Sequence, residues 1–179
     1  MKEFKVTKQT QKIALKDFLN ATIFYLCFIV FLLIILLLYT DLNTKDLIIV
    51  LLCGLIPYLF FYLYPVLTIH LNYLKNAVYQ SVVLSQNQIK LDNTTYVSKN
   101  INKIDVYASY SYFAGGSGTY YTAHEVTYYR IAFNLDNGER IHLSSLYGQD
   151  LYLSLKECFV NAPIIEHKLL FVPKYLIFK

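Results

Sequence analysis

Two long stretches without a single charged residue constrain this chain most: residues 18–40, which contain LCFIVFLLIILLLY, and residues 47–69. A helix rises about 1.5 Å per residue, so each stretch is long enough to cross a hydrocarbon core of about 30 Å. The composition agrees. The chain is 56% hydrophobic and only 16% charged, too poor in charge for an ordinary soluble domain of 179 residues. The sequence therefore predicts two transmembrane helices joined by a short connector, residues 41–46.

A cleaved signal peptide is the rival reading of the first stretch, because Lys2, Lys5, Lys8, Lys12 and Lys16 precede it. The run is too long for a signal h-region, no A-x-A-like site follows, and a second span comes almost at once. We read it as a retained helix. The basic leader 1–17, with Lys75 beyond the second span, contrasts with DLNTKD between the spans. The positive-inside rule then places both termini in the cytoplasm of a bacterial cell and the connector outside its inner membrane. Residues 76–179 become a cytosolic domain, and the leader's charge serves topology and contact with lipid headgroups.

The second stretch holds Gly54, Pro57 and Pro65 with Tyr58, Tyr62 and Tyr64, whereas the first is almost purely aliphatic. A kinked, pore-lining helix has this texture, and so does an ordinary packed span, the simpler reading. His70 and Asn72 fall at the inner boundary, where an interfacial anchor is a simpler role than a proton relay. Cys27, Cys53 and Cys158 are widely spaced and read as reduced apolar residues without a disulfide or metal framework.

Residues 76–179 read as β structure with one helix. YQSVVLS and NQIKLDN alternate around a turn and form a hairpin, TTYVS adds a short strand, and INKIDVYASYSYF drifts into strand periodicity. VTYYRIAFNL puts Tyr129, Ile131, Phe133 and Leu135 on one face and Tyr128, Arg130 and Asn134 on the other. The DNG at 136–138 turns it back into ERIHLSS. Leu151, Leu155, Cys158 and Phe159 recur at helical spacing before Pro163, and the tail IIEHKLLFVPKYLIFK offers one or two more strands. The expected fold class is a membrane α-helical hairpin plus a small all-β barrel of seven to eight strands with one C-terminal helix, closed or nearly so to remove edges.

GGSG at 115–118 is the one glycine cluster in the chain, and it lies between tyrosine-rich segments of period two. A phosphate cradle needs a helix directly after it, and a P-loop needs GK[ST]; neither follows, so the reading is a flexible hairpin tip. HEVTY at 124–128 resembles the start of a zincin HExxH but has Tyr128 where the second histidine belongs. No nucleophile elbow or paired cysteines accompany it, so the expectation is a protein that is not an enzyme. DNA and RNA are not expected partners, because residues 76–179 carry nine Lys+Arg against eight Asp+Glu without a basic stripe.

The candidate binding residues are Tyr107, Tyr110, Tyr128, Arg130, Arg140 and His142, around the chain's only two arginines. Cross-strand aromatic pairing explains the tyrosines without a ligand, at a fraction of a kcal/mol per pair. Alternatively, rings stack on nucleobases at roughly 1–3 kcal/mol each while arginine forks meet phosphate. Both can hold on opposite faces of the same strands.

Two N-terminal spans followed by a compact cytosolic β domain resemble the two-helix β-barrel effectors of CBASS, the cyclic-oligonucleotide antiphage systems of bacteria. The resemblance is one of layout over the whole chain. It implies a cyclic di- or trinucleotide as the activating ligand rather than a cofactor, homo-oligomerisation, and disruption of the inner membrane by the spans. A second resemblance, carried by VVLSQNQIKLD, INKIDVY and YYRIAFNLDNGERIHLSS followed by a helix, is to bacterial membrane proteins with a pleckstrin-homology-like domain. It implies a scaffold or immunity protein that binds a protein partner, although the tail is longer than that fold requires and no basic headgroup cluster stands in the early loops. A nucleotide sensor is expected to hold a polar cavity lined by tyrosine and arginine inside its barrel. A scaffold is expected to have that interior filled by Ile, Leu and Phe.

Overall fold

In a computed structural model, which describes residues 1–39, 43–113, 127–169 and 177–178, the two apolar stretches are helices much longer than the spans themselves. Helix α1 is Lys8–Tyr39. The second helix runs over Thr44–Lys75 in three parts: α2 (Thr44–Tyr58), a π-helical turn (Leu59–Leu63) and α3 (Tyr64–Lys75). Both are long and apolar enough to cross a membrane, and almost none of their most apolar windows is buried within the protein. The irregular turn sits between Pro57 and Pro65. Prolines lack the N–H that continues an α ladder, and a π turn relocates the break without losing the helix axis.

The helices meet through hydroxyls, rings and one glycine. The Tyr25 hydroxyl donates to the Gly54 carbonyl at 2.7 Å, and Tyr25 stacks on Tyr58 with centroids 5.0 Å apart. The Tyr58 and Thr22 hydroxyls are 2.7 Å apart, and Phe18 stacks on Tyr62. A Cβ on Gly54 would lie 2.6 Å from the Ile29 Cδ1, so glycine is what allows this approach. Small residues and side-chain hydrogen bonds are the usual means of joining helices where no hydrophobic effect operates between them. Tyr58 and Tyr62 therefore belong to a packed span, whereas Tyr64 is 65% exposed. Cys27 and Cys53 are exposed on the helices rather than buried.

The leader is not a free basic tail. Lys2–Phe4 forms β1 and pairs antiparallel with β2 (Val82–Ser85), which hairpins into β3 (Gln88–Leu91) and β4 (Thr94–Val97). The hairpin turns place Asn87 and Asp92 at positive φ, 56° and 50°, where these short polar residues are tolerated best. Because β1 joins this sheet, the N-terminus and the β domain lie at the same end of the helical hairpin. The second sheet has the order β7-β6-β5-β8: β5 (Ile101–Ser109), β6 (Tyr129–Leu135), β7 (Arg140–Ser144) and β8 (Ile164–Leu169), the last parallel to β5. A short helix α4 (Tyr110–Phe113) follows β5, and α5 (Leu151–Cys158) follows β7. The turn between β6 and β7 is the expected DNG, with Gly138 at φ 85°.

No closed barrel is found among the described residues. Among the described residues the strands form two separate four-stranded sheets, and one strand comes from the leader. Their inner faces share one apolar core with α5. Phe4, Val82, Leu84, Ile89 and Leu91 come from the first sheet, Ile104, Val106, Ile131, Phe133 and Leu143 from the second, and Leu151 and Leu155 from the helix. A smaller cluster fixes the domain to the hairpin: Ala14 and Phe18 of α1, Val66, Ile69 and Tyr73 of α3, with Tyr128, Leu146 and Phe178. The proposed GGSG tip, Tyr120, Tyr121, His124 and the tail at 170–176 lie outside the described residues.

Candidate functional site

Strand pairing turns the alternating residues of β5, β6 and β7 into a grid on the face turned away from the core. Residues directly opposite in a ladder share a face, so the registers alone give its rows. The first row is Arg140, Asn134 and Lys103; the second is His142, Ala132 and Asp105; the third is Ser144, Arg130, Tyr107 and, across the parallel pair, His167. Ala132 stands in the middle. A methyl group surrounded by long polar side chains leaves a hollow, and a depression of about 400 Å³ lies there, lined also by Ile177 and Phe178.

The acidic side of the grid is internally satisfied. Asp105, 4% exposed, accepts from His167 Nε2 at 2.9 Å and from Asn134 Nδ2 at 2.8 Å, with Lys103 Nζ at 3.3 Å. Burial pushes its carboxyl pKa up, but the hydrogen bonds from His167, Asn134 and Lys103 outweigh it and hold it below the ordinary range. Asp105 therefore stays ionised and already neutralises Lys103.

The basic side is not satisfied. Among the described residues neither Arg130 nor Arg140 has a carboxylate within ion-pair distance. The Arg130 guanidinium lies 4.5 Å from the centroid of Tyr107 and 5.6 Å from that of Phe178, and its Nη1 donates to the Ile177 carbonyl at 3.1 Å. Its Nε is buried without a partner, and so is Nδ1 of His142. Burial lowers the His142 pKa, and the two neighbouring arginines lower it further. Two guanidinium groups without a carboxylate partner among the described residues and an imidazole surround an alanine floor, a donor arrangement of the kind that suits an oxyanion, with Arg130 able to offer a planar fork.

Four of the six residues singled out in the sequence meet here: Tyr107, Arg130, Arg140 and His142. Tyr107, however, is not a free stacking platform. His167 stacks on it at 4.5 Å, and Arg130 lies against it from the neighbouring strand on the other side. Its role is to position Arg130. Tyr110 is 56% exposed on α4, outside the depression. Tyr128 is 1% exposed in the cluster against α3; its hydroxyl is 2.9 Å from His70 Nδ1, and its ring meets Tyr73 edge-on. His70 is thus an anchor of the domain on the helix. Tyr112 of α4, Tyr129 of β6 and Tyr152 of α5 pack ring against ring, a contact between two helices and a strand rather than the cross-strand pairing expected.

Sequence reasoning missed Lys103, Asp105 and Asn134. The signal for them was the strand alternation itself, since Lys103, Asp105 and Tyr107 are spaced by two, as are Arg130, Ala132 and Asn134. It also missed Phe178, whose backbone N–H donates to Asn72 Oδ1 at 2.8 Å while Asn72 Nδ2 donates back to its carbonyl at 3.2 Å. The depression thereby borders the end of the second long helix. The interior between the sheets, by contrast, is filled by apolar side chains.

No protein-family model matches this chain, and no curated protein or solved structure matches it.

Proposed function

We propose that this protein is a membrane-anchored sensor without catalytic machinery, whose β domain takes a phosphate-bearing ligand of the cyclic-nucleotide class on the outer face of its second sheet. Binding would favour an associated state of the two spans, the output implied by the resemblance to antiphage membrane effectors of the bacterial inner membrane. The observation that carries this reading is Arg130 and Arg140, neither with a carboxylate partner among the described residues, beside His142 over the small floor of Ala132. Recognition would be led by phosphate, because both faces of Tyr107 are already covered. A ligand can drive association only by binding the associated state more tightly.

The test uses the full chain in nanodiscs, because a fragment from residue 76 onward would lack β1 and leave β2 without its neighbour. Thermal stability is measured against cyclic di- and trinucleotides. A ligand at 100 times its dissociation constant adds about 2.7 kcal/mol to the folded state. A rise in Tm with one ligand, lost in Arg130→Ala, supports the sensor; no rise with any of them removes it.

A second reading, a pleckstrin-homology-like scaffold for a protein partner, has its own support. The interior is filled, and after the helical hairpin β2, β3 and β4, then β5, β6 and β7 with the short α4 between the first two, and finally α5 follow in order, while β1 joins the first sheet from the other side of the hairpin. That reading expects stability indifferent to every nucleotide and loss of the partner on substitution of exposed residues away from the depression.

A further inference from the structure

The contact between Arg130 and the C-terminal residues occupies the position that an oxyanion would need. Arg130 Nη1 is held by the neutral carbonyl of Ile177, while its Nε is buried and partnerless. The next residue, Phe178, covers the same guanidinium and lies 5.5 Å from the His142 ring. Phe178 is in turn fastened to the second span. Both its backbone groups bond to the Asn72 side chain, and its ring packs 5.2 Å from Tyr73. Asn72 thus treats Phe178 as a strand neighbour would, with one donor and one acceptor.

Resting on the proposed anion site, we infer that the C-terminal residues are a built-in competitor. A phosphate oxyanion binds Arg130 in exchange for the Ile177 carbonyl, and the exchange detaches Phe178 from Asn72 and Tyr73 at the base of the second span. A bidentate pair with phosphate adds a second hydrogen bond and a counter-charge that the single bond to the carbonyl lacks, so the exchange runs toward the ligand. It satisfies Nε as well as Nη1. The retained Phe178–Asn72 bonds oppose it, and by linkage whatever loosens them tightens the ligand by the same factor. The site and the span are then two ends of one equilibrium. The shared chemistry of the occupant is a phosphate group, either on a soluble molecule or on a lipid of the adjoining leaflet.

The chain contains no tryptophan, so Phe178→Trp introduces a single reporter at the moving point. The full-length protein is placed in phosphatidylcholine nanodiscs and titrated with inorganic pyrophosphate, and separately placed in nanodiscs containing phosphatidic acid with no soluble anion. The exchange predicts a red shift and loss of intensity of the tryptophan emission. It also predicts a pyrophosphate affinity about tenfold tighter in Asn72→Ala, measured by calorimetry on the tryptophan-free chain. Removal of residues 177–179 must tighten binding likewise, which guards against a local defect of either variant. A shift in phosphatidylcholine only on adding pyrophosphate identifies a soluble ligand; a shift produced by phosphatidic acid alone identifies a lipid. Binding that depends on Arg130 but is unchanged by Asn72→Ala and by the truncation, with static emission, overturns the exchange and leaves the sensor standing. Absence of binding in every chain and both membranes overturns the sensor and the exchange together.

Discussion

The second sheet has two faces built from the same three strands, and they differ in what they do with charge. On the inner face Ile104, Val106, Ile131, Phe133, Ile141 and Leu143 are at most 5% exposed and fill the space against the first sheet and α5. On the outer face the intervening residues are charged or polar around a single methyl group. The inner face has no spare valence: it contributes stability through apolar area removed from water. The outer face satisfies Asp105 but leaves Arg130 Nε and His142 Nδ1 without a partner among the described residues, and those two atoms contribute nothing to stability until a partner arrives. A sheet that is apolar on one side only can therefore carry stability and recognition separately, provided the period-two alternation is kept.

The largest expected effect belongs to the inner face. Phe133→Ala should lose about 3–5 kcal/mol of folding free energy in denaturant titration. The folded fraction should bind pyrophosphate with unchanged affinity; a changed affinity would break the separation of the two faces. Next comes the floor. Ala132→Leu fills the hollow and should abolish detectable pyrophosphate binding, while overpacking destabilises by about 1–3 kcal/mol at most.

Arg130→Ala should weaken binding by roughly 10- to 100-fold, since a hydrogen bond to a charged group is worth about 1.5–3 kcal/mol. Stability should fall by about 1–2 kcal/mol, because the carbonyl bond and the ring contacts with Tyr107 and Phe178 are lost together. Arg130→Lys should recover only part of the affinity, because a lysine ammonium offers no planar fork.

The smallest effect is the pH dependence. The His142 pKa is lowered in the folded protein, so the unfolded chain takes up its proton first as pH falls. Stability is thus complete above the unfolded value of about 6.5 and declines as pH drops below it. Asp105, also lowered, adds a loss of the same sign at more acidic pH. His142→Gln should flatten the first decline in thermal melts. An oxyanion favours protonated His142, so pyrophosphate affinity should rise severalfold from about pH 7.5 to about pH 5.5, and not in His142→Gln.

Much of this was legible because local rules suffice. The two long apolar helices follow from length and absence of charge, the β6–β7 hairpin from DNG, α5 from the spacing of Leu151 and Leu155, and the two faces of β6 from alternation. The meeting of Tyr107, Arg130, Arg140 and His142 followed from adjacent strands with matching phase. Tyr128 went astray because the last residue before a strand no longer obeys its alternation; it turned toward α3 instead.

What the sequence by itself determined is the two long apolar helices, most of the strands, α5 and the apolar face of β6, since periodicity and charge act within a few residues; it indicated neither β1 nor α4, whose segment reads as strand. What only the tertiary structure decided depends on pairings between distant residues that no local pattern encodes. The leader became the first strand by pairing with β2, which lies beyond both spans in the chain. Among the described residues the strands sort into two four-stranded sheets, and Phe178 reached Asn72 to bring the C-terminal residues onto Arg130. Such contacts are chosen by the global competition to bury apolar area and satisfy backbone groups, so they exist only once the whole chain has folded.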